Sequence, residues 1–352
     1  MAIIPLGGGG SENLNTELTT QETIIDAIEE ALVGKATGAN ATADKILSPY
    51  KAYVGKNLIT GTFKPQVVKV DGVTKTEDMD LVSRTIDLKC TDIPYEFTEG
   101  SAIVLNGEIH ILGSAMSSYN KYHYKFNGSS WTSVSTLPYN FCCGSAVVLN
   151  NEIHILGTAA NTSYNKYHYK WDGSSWTRVS TLPFEFSYGS AVVLNGEIHI
   201  LGGVSGTTNH YKFNGSSWTS VSTLPYSFSY GSAVVLDNEI HIMGSNGASS
   251  ATYHYKFNGS SWTSVSTIPY QVSRSSAVVL NGEIHILGGN YKPVYHYKFN
   301  GSSWTSVSTL PYSFYEGSAV VLNNGIRLLG ADGSGSRMMH WIVTMTVYQL
   351  AS

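Results

Sequence analysis

Cysteine is scarce: Cys90, Cys142 and Cys143 are the three in 352 residues. They supply neither a paired framework nor metal-type spacing, so disulfides should not hold this fold, and a reducing place of synthesis is expected. Charge is scarce as well. Asp, Glu, Lys and Arg make up 13% of the chain and the formal net charge is −4, far from the basic stripe of a nucleic-acid binder, so no nucleic-acid partner is expected. No apolar run approaches the roughly 18 residues of a membrane span, and no membrane insertion is expected. The start, Met1-Ala2-Ile3-Ile4-Pro5-Leu6, has neither the basic residues nor the apolar length of a signal peptide, which points to assembly in a cytosol. Nucleophile elbows, phosphate loops and HExxH are missing, so neither a cofactor nor catalysis is expected.

What is present is repetition. Ser-Ala-(Ile/Val)-Val-Leu followed by Asn or Asp begins at Ser101, Ser145, Ser190, Ser232, Ser276 and Ser318, a period of 42 to 45 residues. A strand-rich unit of that length cannot bury its own faces and must stack on copies of itself. Ala102 to Leu105 reads as a buried strand ending in Asn106-Gly107, a hairpin signal because both turn residues need positive φ. Glu108 to Gly113 alternates as a second strand, and a loop of variable sequence follows. Tyr122 to Phe126 is a third strand running into Asn127-Gly128-Ser129-Ser130, and Trp131 to Thr136 a fourth. Leu137-Pro138-Tyr139 then ends it, since proline cannot donate to a ladder.

Four antiparallel strands repeated radially form a β-propeller blade, and six first strands imply six blades. The sixth unit lacks an Asn-Gly-Ser-Ser-Trp. Its first two strands lie at Ser318 to Asn323 and Ile326 to Leu329, and its third near Met339 to Val343. Because Ile93-Pro94-Tyr95-Glu96-Phe97 matches Leu137-Pro138-Tyr139-Asn140-Phe141, residues around 86 to 94 are expected to supply the missing outer strand. The ring would then close by pairing its two ends, leaving no exposed edge. An apolar strand, a glycine pair, then Tyr and Trp at fixed spacing resembles the kelch-repeat propellers. Gly202-Gly203 with Tyr211 and Trp218, and Gly288-Gly289 with Tyr297 and Trp304, carry that pattern, whereas Gly113-Ser114, Gly157-Thr158, Gly244-Ser245 and Gly330-Ala331 depart from it. The resemblance implies an all-β, six-bladed kelch-like propeller over residues 86–352.

Residues 1–37 form an N-terminal segment. Thr19-Thr20-Gln21-Glu22 reads as a capping box before Ile24, Ile25, Ile28, Ala31 and Leu32, predicting an amphipathic helix over 20–33. Its apolar stripe must pack in cis, on a neighbour or on copies of itself. Within residues 38–85, the stretches Ala41 to Ser48 and Lys51 to Thr62 resemble a short β module of tail and baseplate proteins from phages and prophages of Gram-positive bacteria. That resemblance implies a particle component with an N-terminal attachment part, located in the virion, with other tail or baseplate proteins as partners and a homo-oligomeric state.

In an up-down-up-down blade, the loops between strands two and three share a face with the crossovers between blades. Differences between the copies concentrate on that face. Ala115 to Asn120, Ala159 to Asn165, Val204 to Asn209, Asn246 to Thr252, Asn290 to Val294 and Asp332 to Arg337 all vary. So do the crossovers, with Glu99, Cys142-Cys143, Tyr188, Tyr230, Arg274 and Tyr315-Glu316 at equivalent places. Loops on a rigid scaffold commonly bind, and Tyr, Asn, Asp and Arg suit sugar stacking and hydroxyl recognition. Tyr188, Tyr230, Arg274, Tyr291, Tyr315, Glu316, Asp332 and Arg337 are therefore the candidate ligand-binding residues. The competing reading is relaxed constraint on exposed loops.

Ten of the 11 histidines occupy two repeated strand positions, such as His110 and His123, a pattern that does not converge on one ion. No metal site is expected. Glu108, Glu152, Glu197, Glu239 and Glu283 follow the hairpin turns, where solvated charge is expected. The Tyr-x-Phe of the crossovers, such as Tyr226 and Phe228, should be packing, and Cys142-Cys143 a pair of small loop residues rather than a strained disulfide. The combined expectation is a tail or baseplate receptor-binding protein that recognises a bacterial surface glycan or protein. A purely structural or decoration component of the particle, and a kelch-type carbohydrate-active enzyme, are the alternatives.

Overall fold

The computed structural model describes residues 51–54, 57–60, 69–70, 73–74, 79–90, 92–113, 120–157, 166–203, 207–244, 252–290, 293–307, 309–330 and 339–351. The helix expected over 20–33 and the segment 41–48 lie outside them. The chain divides into two compact units, one of residues 1–84 with 346–352 and one of residues 85–345. In the first, the described strands form two hairpins, Lys51–Val54 with Asn57–Thr60 and Lys69–Val70 with Val73–Thr74.

The second unit is a six-bladed β-propeller, and no helix occurs among the described residues. Blade 1 consists of Ser101–Leu105, Glu108–Leu112, His123–Phe126 and Trp131–Ser133, paired antiparallel in that order. The first strands of blades 2 to 6 are Ser145–Leu149, Ser190–Leu194, Ser232–Leu236, Ser276–Leu280 and Ser318–Leu322. The first hairpin turn has Asn106 at φ 53° and Gly107 at φ 77°, the left-handed pair that its dipeptide predicts.

Closure follows the expectation with shifted limits. The sheet of blade 6 runs Ser318–Leu322, Gly325–Leu329, His340–Ala351 and then Met79–Lys89. The outer strand stops at Lys89 instead of reaching residue 94, with Cys90 N donating to His340 O at 2.8 Å, because Pro94 belongs to the crossover and can donate nothing. The fourth strand of blade 1 likewise ends at Ser133 instead of Thr136. Beyond it the ladder slips, with Val134 N donating to His123 O and Leu137 N to Lys121 O.

Each hydrophobic core lies between blades. Val147, Leu149 and Leu156 of blade 2 pack with Leu182 and Phe186 of the crossover and with Ile198, Ile200 and Phe213 of blade 3. A blade alone would therefore leave both faces wet, which is why the repeat has to close. The serine that opens each repeat ties it to the next. Ser101 Oγ accepts from Ala146 N at 3.1 Å, Ser232 Oγ donates to Ser275 O at 3.0 Å, and Ser318 Oγ accepts from Ala102 N at 3.1 Å to complete the circle.

The crossover phenylalanines Phe97, Phe141, Phe186, Phe228 and Phe314 are fully buried, as their packing role requires. Each lies under a glycine: a Cβ on Gly231 would sit 2.4 Å from the Phe228 ring. Blade 5 has Ser275 at the glycine position, and there the phenylalanine is replaced by Val272. The smaller side chain makes room for a Cβ.

The repeated histidines pair within their blades. His110 Nδ1 lies 2.8 Å from His123 Nε2, and His123 Nδ1 lies 3.0 Å from Ser135 Oγ, which accepts from Trp176 Nε1 of the next blade. The same His–His contact joins 154 to 168, 199 to 210, 241 to 254 and 285 to 296. Burial lowers the second-strand member to about 4 and the third-strand member to about 3, so all ten are neutral near pH 7. The recurring acids are not simply solvated charge. Glu108 accepts from Lys125 Nζ at 2.8 Å, and the same cross-strand pair recurs in blades 2 to 5.

Candidate functional site

Two residues before each first strand the chain enters the left-handed region: Glu99 (φ 53°), Cys143 (58°), Tyr188 (58°), Tyr230 (55°), Arg274 (58°) and Glu316 (58°). These six form a closed circle of backbone hydrogen bonds around the propeller axis. Cys143 N donates to Glu99 O, Tyr188 N to Cys143 O, Tyr230 N to Tyr188 O, Arg274 N to Tyr230 O, Glu316 N to Arg274 O, and Glu99 N back to Glu316 O, over 2.6–3.0 Å. Six nearly equivalent backbones thus carry four different residue types, and their side chains line an open depression of about 130 Å³.

Around the circle one side is aromatic and the other charged. Tyr188 and Tyr230 stack with ring centroids 4.3 Å apart and planes 30° from parallel. The Arg274 guanidinium lies over Tyr230, 4.8 Å from its centroid. Arg274 Nη1 forms an ion pair with Glu316 and a longer one, 3.4 Å, with Glu99. Cys143 Sγ donates to Glu99 Oε2 at 3.2 Å. Burial, then the hydrogen bond to Cys143, raises the Tyr188 hydroxyl above its ordinary value, keeping it a donor. The hydrogen bond between the adjacent thiols favours ionisation at Cys142 and opposes it at Cys143. Cys142 and Cys143 are buried and form no disulfide with each other, in accord with the small-residue reading of the pair.

Of the eight candidate residues, the structure brings Tyr188, Tyr230, Arg274 and Glu316 together at the axis. Tyr315, one residue before the circle, does not line the depression. Tyr291, Asp332 and Arg337 lie outside the described residues, as do most of the loops between second and third strands. Glu99 and Cys143 complete the mouth without having been among the eight. Their alignment with Tyr188 and Arg274 in the repeat was the signal that could have included them. No group of three or more His, Cys, Asp or Glu that could hold a metal ion occurs among the described residues.

No protein-family model matches this chain, and no curated protein matches it. A solved structure described as "Structure of YjhT" is similar in fold, with a TM-score of 0.62 and 15% identity over 72% of this chain and 95% of that one. At that identity the likeness bears on the fold alone, and the fold it supports is the propeller.

Proposed function

We propose that this chain is a receptor-binding component of a phage or phage-derived particle, held in the tail or baseplate by its N-terminal region. Its kelch-like propeller would present the axial mouth and the surrounding loops to a bacterial surface glycan or protein. The observation that carries this reading is the choice of residues in the axial circle. A non-glycine residue in the left-handed region costs about 1–2 kcal/mol. In its hairpin turns the chain meets that cost with Asn, Asp and Gly, for example Asn195-Gly196 and Asp237-Asn238. In the axial circle it never does, using Glu, Cys, Tyr, Tyr, Arg and Glu instead. A scaffold needing only a turn would use glycine, whereas a surface needing side chains keeps them despite the strain.

The residues around Tyr53 to Thr62 that resemble phage modules supply the particle context. Partner proteins of the tail, self-association through the N-terminal segment, a location in the virion and action by binding rather than chemistry belong to the same reading. Weak contacts would be multiplied by several copies, which can add about 10²- to 10⁴-fold. The competing structural role draws on the near-identity of the Asn-Gly-Ser-Ser turns on the opposite face.

The test is binding of the fluorescent, artificially multimerised full chain to a panel of Gram-positive strains. Beside it goes a variant with Tyr188, Tyr230 and Arg274 replaced by Ser and all the second-to-third-strand loops replaced by Gly-Ser. Strain-selective binding lost in the variant is the expected result; equal binding by both, or binding to no strain, would return the propeller to the structural role.

A further inference from the structure

We infer that the axial mouth is a subsite for one diol-bearing pyranose ring, and that it discriminates against anionic sugars. This rests on the receptor-binding reading and narrows it to a ligand chemistry.

A sugar ring offers an apolar C–H face and a rim of hydroxyls. The mouth offers the complement on one small circle. With Tyr230 engaged by both Tyr188 and Arg274, the Tyr188 ring is the aromatic surface left for the C–H face. Beside the two tyrosines, the Arg274 guanidinium stands between the carboxylates of Glu316 and Glu99. A vicinal diol needs acceptors for its two O–H donors and a donor for its oxygens. Adjacent carboxylate and guanidinium groups provide both.

Charge selects among sugars. Two carboxylates and one guanidinium leave the circle with a net acidic balance, and the cation is already engaged by both acids. An anionic sugar would have to displace carboxylates from Arg274 and then meet them as like charges. A neutral ring requires no such exchange. The depression of about 130 Å³ fits partial insertion of one ring rather than a buried oligosaccharide, consistent with weak, avidity-dependent binding.

The experiment is saturation-transfer NMR and calorimetry on the full chain with methyl glucoside, methyl galactoside, methyl mannoside and N-acetylglucosamine. Glucuronic acid and N-acetylneuraminic acid form the anionic arm. At least one neutral sugar should bind with a dissociation constant on the order of 1–10 mM, and both anionic sugars about tenfold more weakly or worse. The variants Tyr230→Glu and Arg274→Tyr install residues that equivalent positions of the circle already hold. Both should remain folded by circular dichroism, Arg274→Tyr with a lowered thermal midpoint because it leaves the Glu316 carboxylate unpaired, and each should lose about tenfold or more in affinity. Tighter binding of an anionic sugar, binding unchanged in both variants, or no neutral sugar binding would each overturn the inference. Failure here together with strain-selective cell binding would leave the receptor-binding reading standing and remove only the pyranose subsite; loss of both would remove the adhesive role itself.

Discussion

Lowering the pH should unfold the propeller cooperatively between about pH 6 and 5, driven by its ten paired histidines. Each pair is nearly sealed from solvent: His123 is 1% exposed, His168 0% and His210 1%. Burial holds the folded-state values at about 4 and about 3, against about 6.5 in the unfolded chain. A depressed folded value means that the unfolded chain binds more protons, so the histidine contribution is fully present above pH 6.5 and is lost as the pH falls towards the folded values. At pH 6.0 the loss is about 0.8 kcal/mol per histidine, and ten together reach roughly 8 kcal/mol. That is comparable to the whole stability of an ordinary domain, about 5–15 kcal/mol. Near pH 5.5, unfolding should take up about nine protons. Circular dichroism during acid titration locates the transition, and urea midpoints measured at several pH values give the proton uptake. A fold intact to pH 4.5, or an uptake below about three protons near pH 5.5, would refute the assignment of neutral buried pairs.

Gly231→Ser alone should destabilise by about 1–3 kcal/mol, since its Cβ would lie 2.4 Å from the Phe228 ring. Phe228→Val alone should cost a similar amount through the cavity it leaves. The double variant recreates the natural pairing of Val272 with Ser275, so its loss should fall short of the sum of the single losses by about 1 kcal/mol or more in urea unfolding; strict additivity would sink the packing account. Ser318→Ala removes the hydroxyl that accepts from Ala102 N across the closing junction and should cost about 1 kcal/mol, matching Ser101→Ala at an internal junction. A much larger loss for Ser318→Ala would mean that closure is the weak seam. Glu283→Ala breaks a pair whose side chains are 26% and 38% exposed, and a change above about 1 kcal/mol would contradict the screening expected there.

The architecture was legible because its determinants are local and repeated six times over. Asn106-Gly107 fixes a hairpin without reference to anything distant, and the alternation of Glu108 to Leu112 fixes which side chains enter the core. Closure was legible from a missing strand in the sixth unit and a spare crossover before the first. Its register was not, because where a strand stops depends on which amides still find partners, as at Cys90 and Pro94. The histidine pairs were visible only as two columns in the repeat. Their separation of 11 to 14 residues brings them together through hairpin register, which composition does not encode.

The axial mouth was legible by halves, and the half that was missed shows what a repeat sequence conceals. Variation among copies marked Tyr188, Tyr230, Arg274 and Glu316, but nothing in the letters Glu, Cys, Tyr or Arg announces a left-handed backbone. Positive φ is read from Gly and Asn, and here neither is used. The six positions meet because each amide bonds to the carbonyl of the previous blade's residue, an arrangement that exists only once the ring is closed. Tyr315 attracted notice as an aromatic, yet it sits one residue off the circle, and in a turn that sharp one residue re-aims a side chain completely. Glu99 aligned with these positions in the repeat without being among the eight candidates. Closure makes it the neighbour of Glu316 and gives Arg274 its second carboxylate. The same junction that removes the propeller's open edge therefore also completes its mouth, so a variant that loosens closure should weaken axial binding before it unfolds the blades.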